Sequence, residues 1–213
     1  KAVYIRKEIA VDKPVARATA FFCGLGHSEF SIDGVKVGQG RMTPGHTETS
    51  KRVQYLVYDV TDRFAKSGKH LMGAILVDGH YGQNRETWGR MYRVVGPYVN
   101  RPKMIFDLHL EHADGTETVI SSDSSWKYAK GAIARNRICL EDIDLRENQP
   151  GWDKTGFDDS HWHAAVLVEG PTGRLVCQRE PQVTNRRVLK PVSLTNKDGN
   201  CYYDFGREFT GAI

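Results

Sequence analysis

Long apolar runs are missing from this chain: the longest, such as 71–77, fall far short of what a bilayer-spanning helix needs. No stretch reads as a secretory leader. Cysteine is scarce. Cys23, Cys139, Cys177 and Cys201 form no C-x-x-C pair and stand at no zinc-finger spacing. A disulfide among them is open but nothing points to one, and Cys23 and Cys139, set in apolar surroundings, read as small buried hydrophobes. The nucleophile elbow, the P-loop and the dinucleotide fingerprint are absent. Residues 82–89 hold two glycines, but no helix follows to aim amides at a phosphate. No cysteine sits beside a histidine in a setting that would activate it. Internal repeats and low-complexity tracts are lacking, and so is charge of one sign. Thirty basic and 26 acidic residues are interspersed to a net +4, which describes a mixed surface and excludes a nucleic-acid stripe; Lys51-Arg52 and Arg186-Arg187 are isolated pairs. What remains is a 213-residue chain, 39% hydrophobic, long enough for one large or two small domains.

What is present is alternation punctuated by turns. Residues 3–11 read as a first strand, closed by Asp12-Lys13-Pro14. Residues 15–24 alternate and then turn fully apolar at Ala20-Phe21-Phe22, as a central strand buried on both faces would. Asp33-Gly34, between 29–32 and 35–37, is a type I′ hairpin signal, because both turn positions need positive φ. Further strands are expected at 55–60, 70–77, 104–110, 117–121, 124–128, 166–168, 175–178, 188–194 and 201–205, with turns at Asp114-Gly115 and Asp198-Gly199. Thr61-Asp62 caps at most one helical turn, ended by Gly68. About ten strands at turn-rich intervals predict an all-β fold, a β-sandwich or jelly roll of galactose-binding-like type. Gly170, Pro171 and Gly173 break the pattern. The expected division is therefore a β-sandwich module over 1–168, then a linker and the incomplete first strands of a second β-domain over 169–213. Both ends lie in strand-like sequence, so the chain is expected to be part of something longer.

The stretch 141–165 differs from the rest. It has no period, is dense in acids and indoles, and carries turn chemistry at Pro150-Gly151 and Asp158-Asp159-Ser160. A long irregular segment in a compact domain is either functional or packs as its own knot. Trp152, Phe157 and Trp162 are large enough to pin it to a sheet, so it is expected to act as a clasp. The acids also allow glycoside hydrolysis, which needs two carboxyl groups roughly 5–9.5 Å apart across one bond, with Glu141, Asp142 and Asp144 as the candidates. On a surface loop such acids are more often solvated or turn-forming. Eight histidines invite a metal reading, but His109-x-x-His112 and His161-x-His163 lack further ligands, and His161 and His163 fit a packed corner beside Trp162.

The same stretch carries a resemblance. Glu141-x-x-Asp144-x-Arg146, Gly151-Trp152-Asp153 and Phe157-Asp158-Asp159-Ser160-x-Trp162-x-x-Ala165 resemble the non-catalytic N-terminal region of bacterial α-L-rhamnosidases of glycoside hydrolase family 78, with Leu140 for the usual Gly and Leu145 for the usual Ala. The likeness extends to Phe30-Ser-Ile-Asp33-Gly34-x-x-Val37-Gly38, Pro44-Gly45, Arg52-Val53-Gln54-Tyr55, Tyr58-Asp59-Val60-Thr61 and Asp123-x-x-Trp126. These are similar to the β-sandwich that carbohydrate-binding module family 67 also represents. Asp78-Gly79-His80-Tyr81-Gly82 resembles its Gly-Trp-Tyr turn with His80 in place of Trp, and Tyr203-Asp204-Phe205-Gly206 is like the entry strand of the next β-domain. The resemblance implies a periplasmic or secreted protein. Its partner would be the rest of its own polypeptide, an inverting (α/α)6 catalytic domain absent from this chain, and it implies no activity in the chain alone. It also implies calcium-dependent L-rhamnose binding, but the expected Asp-Asn pair after Val37-Gly38 reads Gln39-Gly40. Substitutes on nearby loops are Asp78 and the carbonyl of Pro97 for a cation such as calcium, with Asn84 and Asn100 as amides beside the sugar and Tyr81, Trp88 and Tyr98 as stacking rings. The plainer role for these aromatics is to pack the 80–101 loop or meet the catalytic domain. Three classes of function follow: an accessory structural module with an apolar sheet face for the missing domain to cover, a lectin-like module for rhamnose-containing glycans, or a glycosidase in its own right.

Overall fold

A computed structural model of the chain describes residues 2–79, 81–82, 101–137 and 140–209. Among these the regular elements are strands and short 3-10 turns, and the all-β expectation holds. Two compact units emerge, 1–183 and 184–213.

The first unit is a sandwich. One sheet orders its strands as β12 (His163–Ala164), β9 (Lys127–Lys130), β1 (Val3–Val11), β6 (Gly68–Val77), β3 (His27–Ile32) and β4 (Val35–Lys36). The other runs β13 (Arg174–Cys177), β5 (Arg52–Asp59), β2 (Val15–Leu25), β7 (Lys103–His112) and β8 (Glu117–Ser121). Pairing is antiparallel except where β13 lies parallel to β5. A side ribbon pairs β10 (Ile133–Arg137) with β11 (Leu140–Ile143).

The period-2 alternation decides what lies between the sheets. Ile5, Met72, Ala74 and Leu76 point inward from one, and Ala18, Ala20, Phe22, Phe106, Leu108 and Leu110 from the other; all are buried. Phe22, Phe30 and Phe106 form a ring ladder with centroids 5.3 and 5.0 Å apart. Trp126 closes it edge-on to Phe106 and donates its indole N–H to the Ser121 carbonyl at 3.1 Å. At the Asp33-Gly34 corner both residues have positive φ, 51° and 77°, as the hairpin requires. The Asp33 carboxylate also receives the Leu71 amide at 2.7 Å and meets His70 Nδ1 at 2.8 Å, so the turn is tied to β6.

Several expectations shift. Residues 166–168 form no strand. The run expected at 188–194 lies at Ser193–Lys197 as β14, pairing with β15 (Asn200–Asp204) around Asp198-Gly199. The start of 141–165 is strand β11, because backbone pairing with β10 needs no alternation of side chains. The helical turn at Thr61–Phe64 is 3-10. β2 is central as expected, but only one of its faces is fully buried: Phe21 stays partly exposed. Cys23 is buried as read, whereas Cys139 lies outside the described residues.

Candidate functional site

The densest chemistry is the 141–165 segment, which lies on the outer face of the six-stranded sheet. Tyr4, Arg6 and Glu8 of β1 point outward there, beside Gly73 and Ile75 of β6 and Ala129 of β9. Trp152 stacks on Tyr4 with ring centroids 4.6 Å apart and planes 8° from parallel. Gly73 leaves room for it: a Cβ there would stand 3.0 Å from the indole. Trp162 follows at 6.3 Å from Trp152, with Phe157 edge-on to it at 5.8 Å, and its N–H donates to Gln149 at 2.9 Å.

Arg6 is the anchor. Its guanidinium is 1% exposed and donates to the Asp159 carboxylate at 2.6 Å, the Phe157 carbonyl at 3.1 Å and the Lys154 carbonyl at 3.0 Å, with its carbon 5.3 Å from the centre of the Phe157 ring. Its Nε finds no partner. Lys127 reaches the second Asp159 oxygen at 2.6 Å. Asp159 is thus held between two cations in a site shielded enough for the charge to matter. The segment behaves as the clasp its tryptophans announced.

Two further acids of the segment, Asp144 and Asp158, are engaged by local turn contacts. Asp144 pairs with the Arg146 guanidinium at 2.7 Å, and this bond, then the Arg146 amide, holds its carboxyl below the usual range. The Ser160 amide does the same to Asp158. A general acid in glycoside hydrolysis needs the opposite, a carboxyl raised toward neutral pH. Among the described residues, the carboxyls whose proton affinity is displaced are displaced downward, by backbone amides, hydroxyls and cations. Burial pushes the Cys23 thiol up to about 12, which leaves it a packing group without nucleophilic character at neutral pH.

Of the sugar and cation candidates, Tyr81 and Asp78 are among the described residues. Tyr81 is 5% exposed, and burial raises its phenol's pKa. The Asp78 carbonyl accepts the Gly82 amide at 2.8 Å and so closes the turn that carries Tyr81. Asn84, Trp88, Pro97, Tyr98 and Asn100 lie outside the described residues. At Gln39-Gly40 the surroundings do not fit calcium. The Lys36 ammonium donates to the Gly40 carbonyl at 2.8 Å and to Glu29 at 2.6 Å, and Arg41 takes the same Glu29 oxygen at 3.1 Å. Two cations, Lys36 and Arg41, already use the Glu29 carboxylate, so a divalent ion would meet repulsion. Among the described residues no three His, Cys, Asp or Glu side chains gather as a metal would need.

A cleft of about 170 Å3 was not foreseen; it is lined by Arg41, Gln54, Gln178, Glu180, Gln182 and Val183 among others. The buried Gln54 amide donates to Glu180 at 2.6 Å, and Gln178 accepts the Gly45 amide at 2.9 Å. Glu180's own backbone amide and then Gln54 hold its carboxyl in the charged state. The cleft forms because 178–183 crosses the 41–46 loop, where Arg41 and Val183 pair as a bridge. That crossing has no local signal: Gln178 read as the end of the strand expected at 175–178, and nothing marked Gln182.

Comparison with known proteins places the chain. Residues 13–187 match the family described as alpha-L-rhamnosidase N-terminal domain. An alpha-L-rhamnosidase of Formosa agariphila is 32% identical over 100% of this chain and 22% of its own length. Among solved structures, the alpha-L-rhamnosidase of Dictyoglumus thermophilum superposes with TM-score 0.84 at 33% identity, over 98% of this chain and 22% of that one. The Streptomyces avermitilis alpha-L-rhamnosidase, solved with L-rhamnose, gives TM-score 0.80 at 32% identity, over 91% of this chain and 19% of that one. The chain thus spans about a fifth of the length of the relatives it matches.

Proposed function

The chain belongs to the alpha-L-rhamnosidase N-terminal domain family, and from that premise we propose that it is a non-catalytic accessory module of an inverting α-L-rhamnosidase-type glycoside hydrolase, bracing a catalytic domain carried elsewhere in the same polypeptide. The observation that supports this most is how 141–165, the part richest in acids, spends its side chains. Asp159 lies between Arg6 and Lys127 and ties the segment to the sheet, while Asp144 is taken up by Arg146 in a local turn, so both carboxylates are engaged structurally.

Residues 169–183 still belong to the sandwich through β13, and the polypeptide from 184 on opens a further β-domain. Its hairpin, β14 with β15, puts Leu194 opposite Tyr203 on one face and leaves both more than half exposed. A two-stranded ribbon of this kind is marginal until more sheet is added.

The test is hydrolysis of an aryl α-L-rhamnoside by this chain and, in parallel, by the full-length protein. The expected result is turnover by the full-length protein and none by the chain. Release of aglycone by the chain above the uncatalysed rate would overturn the reading.

Glycan contact is the second reading, favoured by the amide-and-carboxylate cleft around Gln54, Gln178 and Glu180, whose planar polar groups match vicinal hydroxyls. A separate place for it is the stretch 80–101, with Asn84, Trp88, Tyr98 and Asn100 around the sugar and Asp78 and Pro97 near a cation; Tyr81, being buried, does not serve there as a stacking ring. Titration of L-rhamnose into the chain by calorimetry, with and without calcium, separates the two. Heat that persists without calcium and vanishes in Gln54→Ala selects the cleft; heat that requires calcium selects the loop. Flat traces under both conditions end the glycan reading.

A further inference from the structure

The five-stranded sheet has an outer face too, and its residues are the wrong kind for open water. By register, Phe21 of β2 lies between Val57 of β5 and Asp107 of β7, and Cys23 lies opposite Ile105. Leu175 of β13 pairs with Val53, bringing another apolar side chain to the same face at one edge. Val57, Ile105 and Leu175 are 43%, 46% and 48% exposed. Ile105 and Leu175, with Phe21 and Tyr55, floor a shallow concavity of about 260 Å3, and Val57 lies next to it as the cross-strand partner of Phe21. Its border is polar. His109 stands edge-on to Phe21 at 5.3 Å and is held at 2.8 Å by Glu117, and Arg17 approaches Glu111 at 3.7 Å. A largely apolar, aromatic surface with Asp107 beside Phe21 and charged pairs towards its border is the anatomy of a contact surface, not of a solvated strand.

We propose that this face seats the remainder of the rhamnosidase polypeptide, the part lying beyond the fifth of the relatives' length that this chain matches. The inference rests on the accessory-module reading and adds the surface through which the module would work. Two observations choose that occupant. The relatives match this chain over 98–100% of its length yet carry roughly four times as much polypeptide again, so a large covalently linked body accompanies the fold in them. Within unit 1 the last strand, β13, is the edge strand of this same sheet and contributes Leu175 to the concavity. The polypeptide that follows is covalently joined to this sheet through β13, so linkage makes the effective concentration high and a modest apolar area suffices.

Hydroxyl-radical footprinting with mass spectrometry tests this by comparing the full-length protein with the 213-residue chain. Phe21, Tyr55, Ile105 and Leu175 are expected to be labelled in the chain and protected by about fivefold or more in the full-length protein, as buried interface centres are. The Val57→Lys/Ile105→Lys double variant of the full-length protein should restore the labelling, while the same variant of the chain keeps its circular dichroism. Equal labelling of the two proteins would overturn the proposal. So would labelling of the chain that falls as its own concentration rises, because the occupant would then be a second copy. The rhamnoside assay keeps the two ideas apart: an inactive chain with equal labelling sinks the docking surface alone, whereas an active chain sinks the accessory reading on which it stands.

Discussion

Two sheet faces of this molecule look outward, and they are treated oppositely. On the six-stranded sheet, Tyr4, Arg6, Gly73 and Ile75 lie under Trp152, Phe157 and Trp162, supplied by a segment some 150 residues further along the chain. On the five-stranded sheet, Phe21, Tyr55, Val57 and Ile105 form a comparable apolar strip, and its aliphatic members remain nearly half exposed. Among the described residues the one deeply buried cation, Arg6, is on the roofed face, and its desolvation is offset by Asp159 and two carbonyls. On the open face the charged pairs are partly exposed, such as His109 with Glu117. The lesson is that alternation alone makes a face apolar, while what covers it depends on distant chain. One face is internal business, and changes there should cost stability. The other should be nearly indifferent while it is bare.

That contrast can be broken most directly at Trp152. Trp152→Ala removes the ring stacked on Tyr4 and leaves a void over Gly73, for an expected loss of about 4 kcal/mol. The measurement is urea unfolding followed by far-ultraviolet circular dichroism; a loss below about 1 kcal/mol would mean that the roof is not part of the folded unit. Arg6→Ala comes next. It strands the Asp159 carboxylate and the Phe157 and Lys154 carbonyls, at an expected cost of about 3 kcal/mol, since Asp159 keeps some access to water. A neutral Arg6→Ala would show that the segment is held by its rings alone.

How much of this could be read from residues follows the same divide. The Asp33-Gly34 and Asp198-Gly199 corners were legible because positive φ restricts what can stand there. The inward set of β2 was legible because Ala18, Ala20 and Phe22 alternate. The clasp was legible because two indoles in an acidic, turn-rich loop have few other uses. Arg6 was not. A lone arginine among strand residues normally sits in water, and its burial depends on carbonyls at 154 and 157 that no local pattern links to it. The parallel pairing of β13 with β5, and the cleft that 178–183 builds over 41–46, are likewise long-range events. So is the openness at Phe21: alternation cannot tell a face roofed by its own chain from one that is not.

Acid gives a third, smaller probe of the roofed face. Glu8 accepts the Gly156 amide at 2.9 Å and pairs with Lys69 at 2.9 Å, and these hold its carboxyl below the ordinary value of 4.5. A depressed folded pKa means that the contribution is complete above that ordinary value and is lost as pH falls through the lower, folded one. The urea midpoint should therefore be unaffected by Glu8 from neutral pH down to about 5 and decline below that. Glu8→Gln retains an oxygen for the Gly156 amide and removes the titration. It should cost under about 1 kcal/mol at neutral pH and lose less than the parent sequence on acidification. Parallel declines in the two proteins would assign the acid sensitivity to other carboxylates, such as Asp144 and Asp158, which are lowered in the same way.

The smallest effect belongs to the open face, and it is the one that decides whether the comparison is real. Val119 sits on β8 directly opposite His109 and is 50% exposed. Val119→Thr keeps the branched shape that suits a strand and exchanges one methyl for a hydroxyl. In a packed interior that exchange is costly because the hydroxyl lacks a partner. At a surface that water reaches, the hydroxyl is solvated and the change should stay within about 0.5 kcal/mol. The chain alone, unfolded in urea, gives the reading. A cost of about 1.5 kcal/mol or more would mean that Val119 is buried in solution, as by self-association. The two faces would then differ only in where their covers come from. A neutral result leaves the strip uncovered in the chain alone, and that is the state the footprinting of Phe21 and Ile105 requires as its reference.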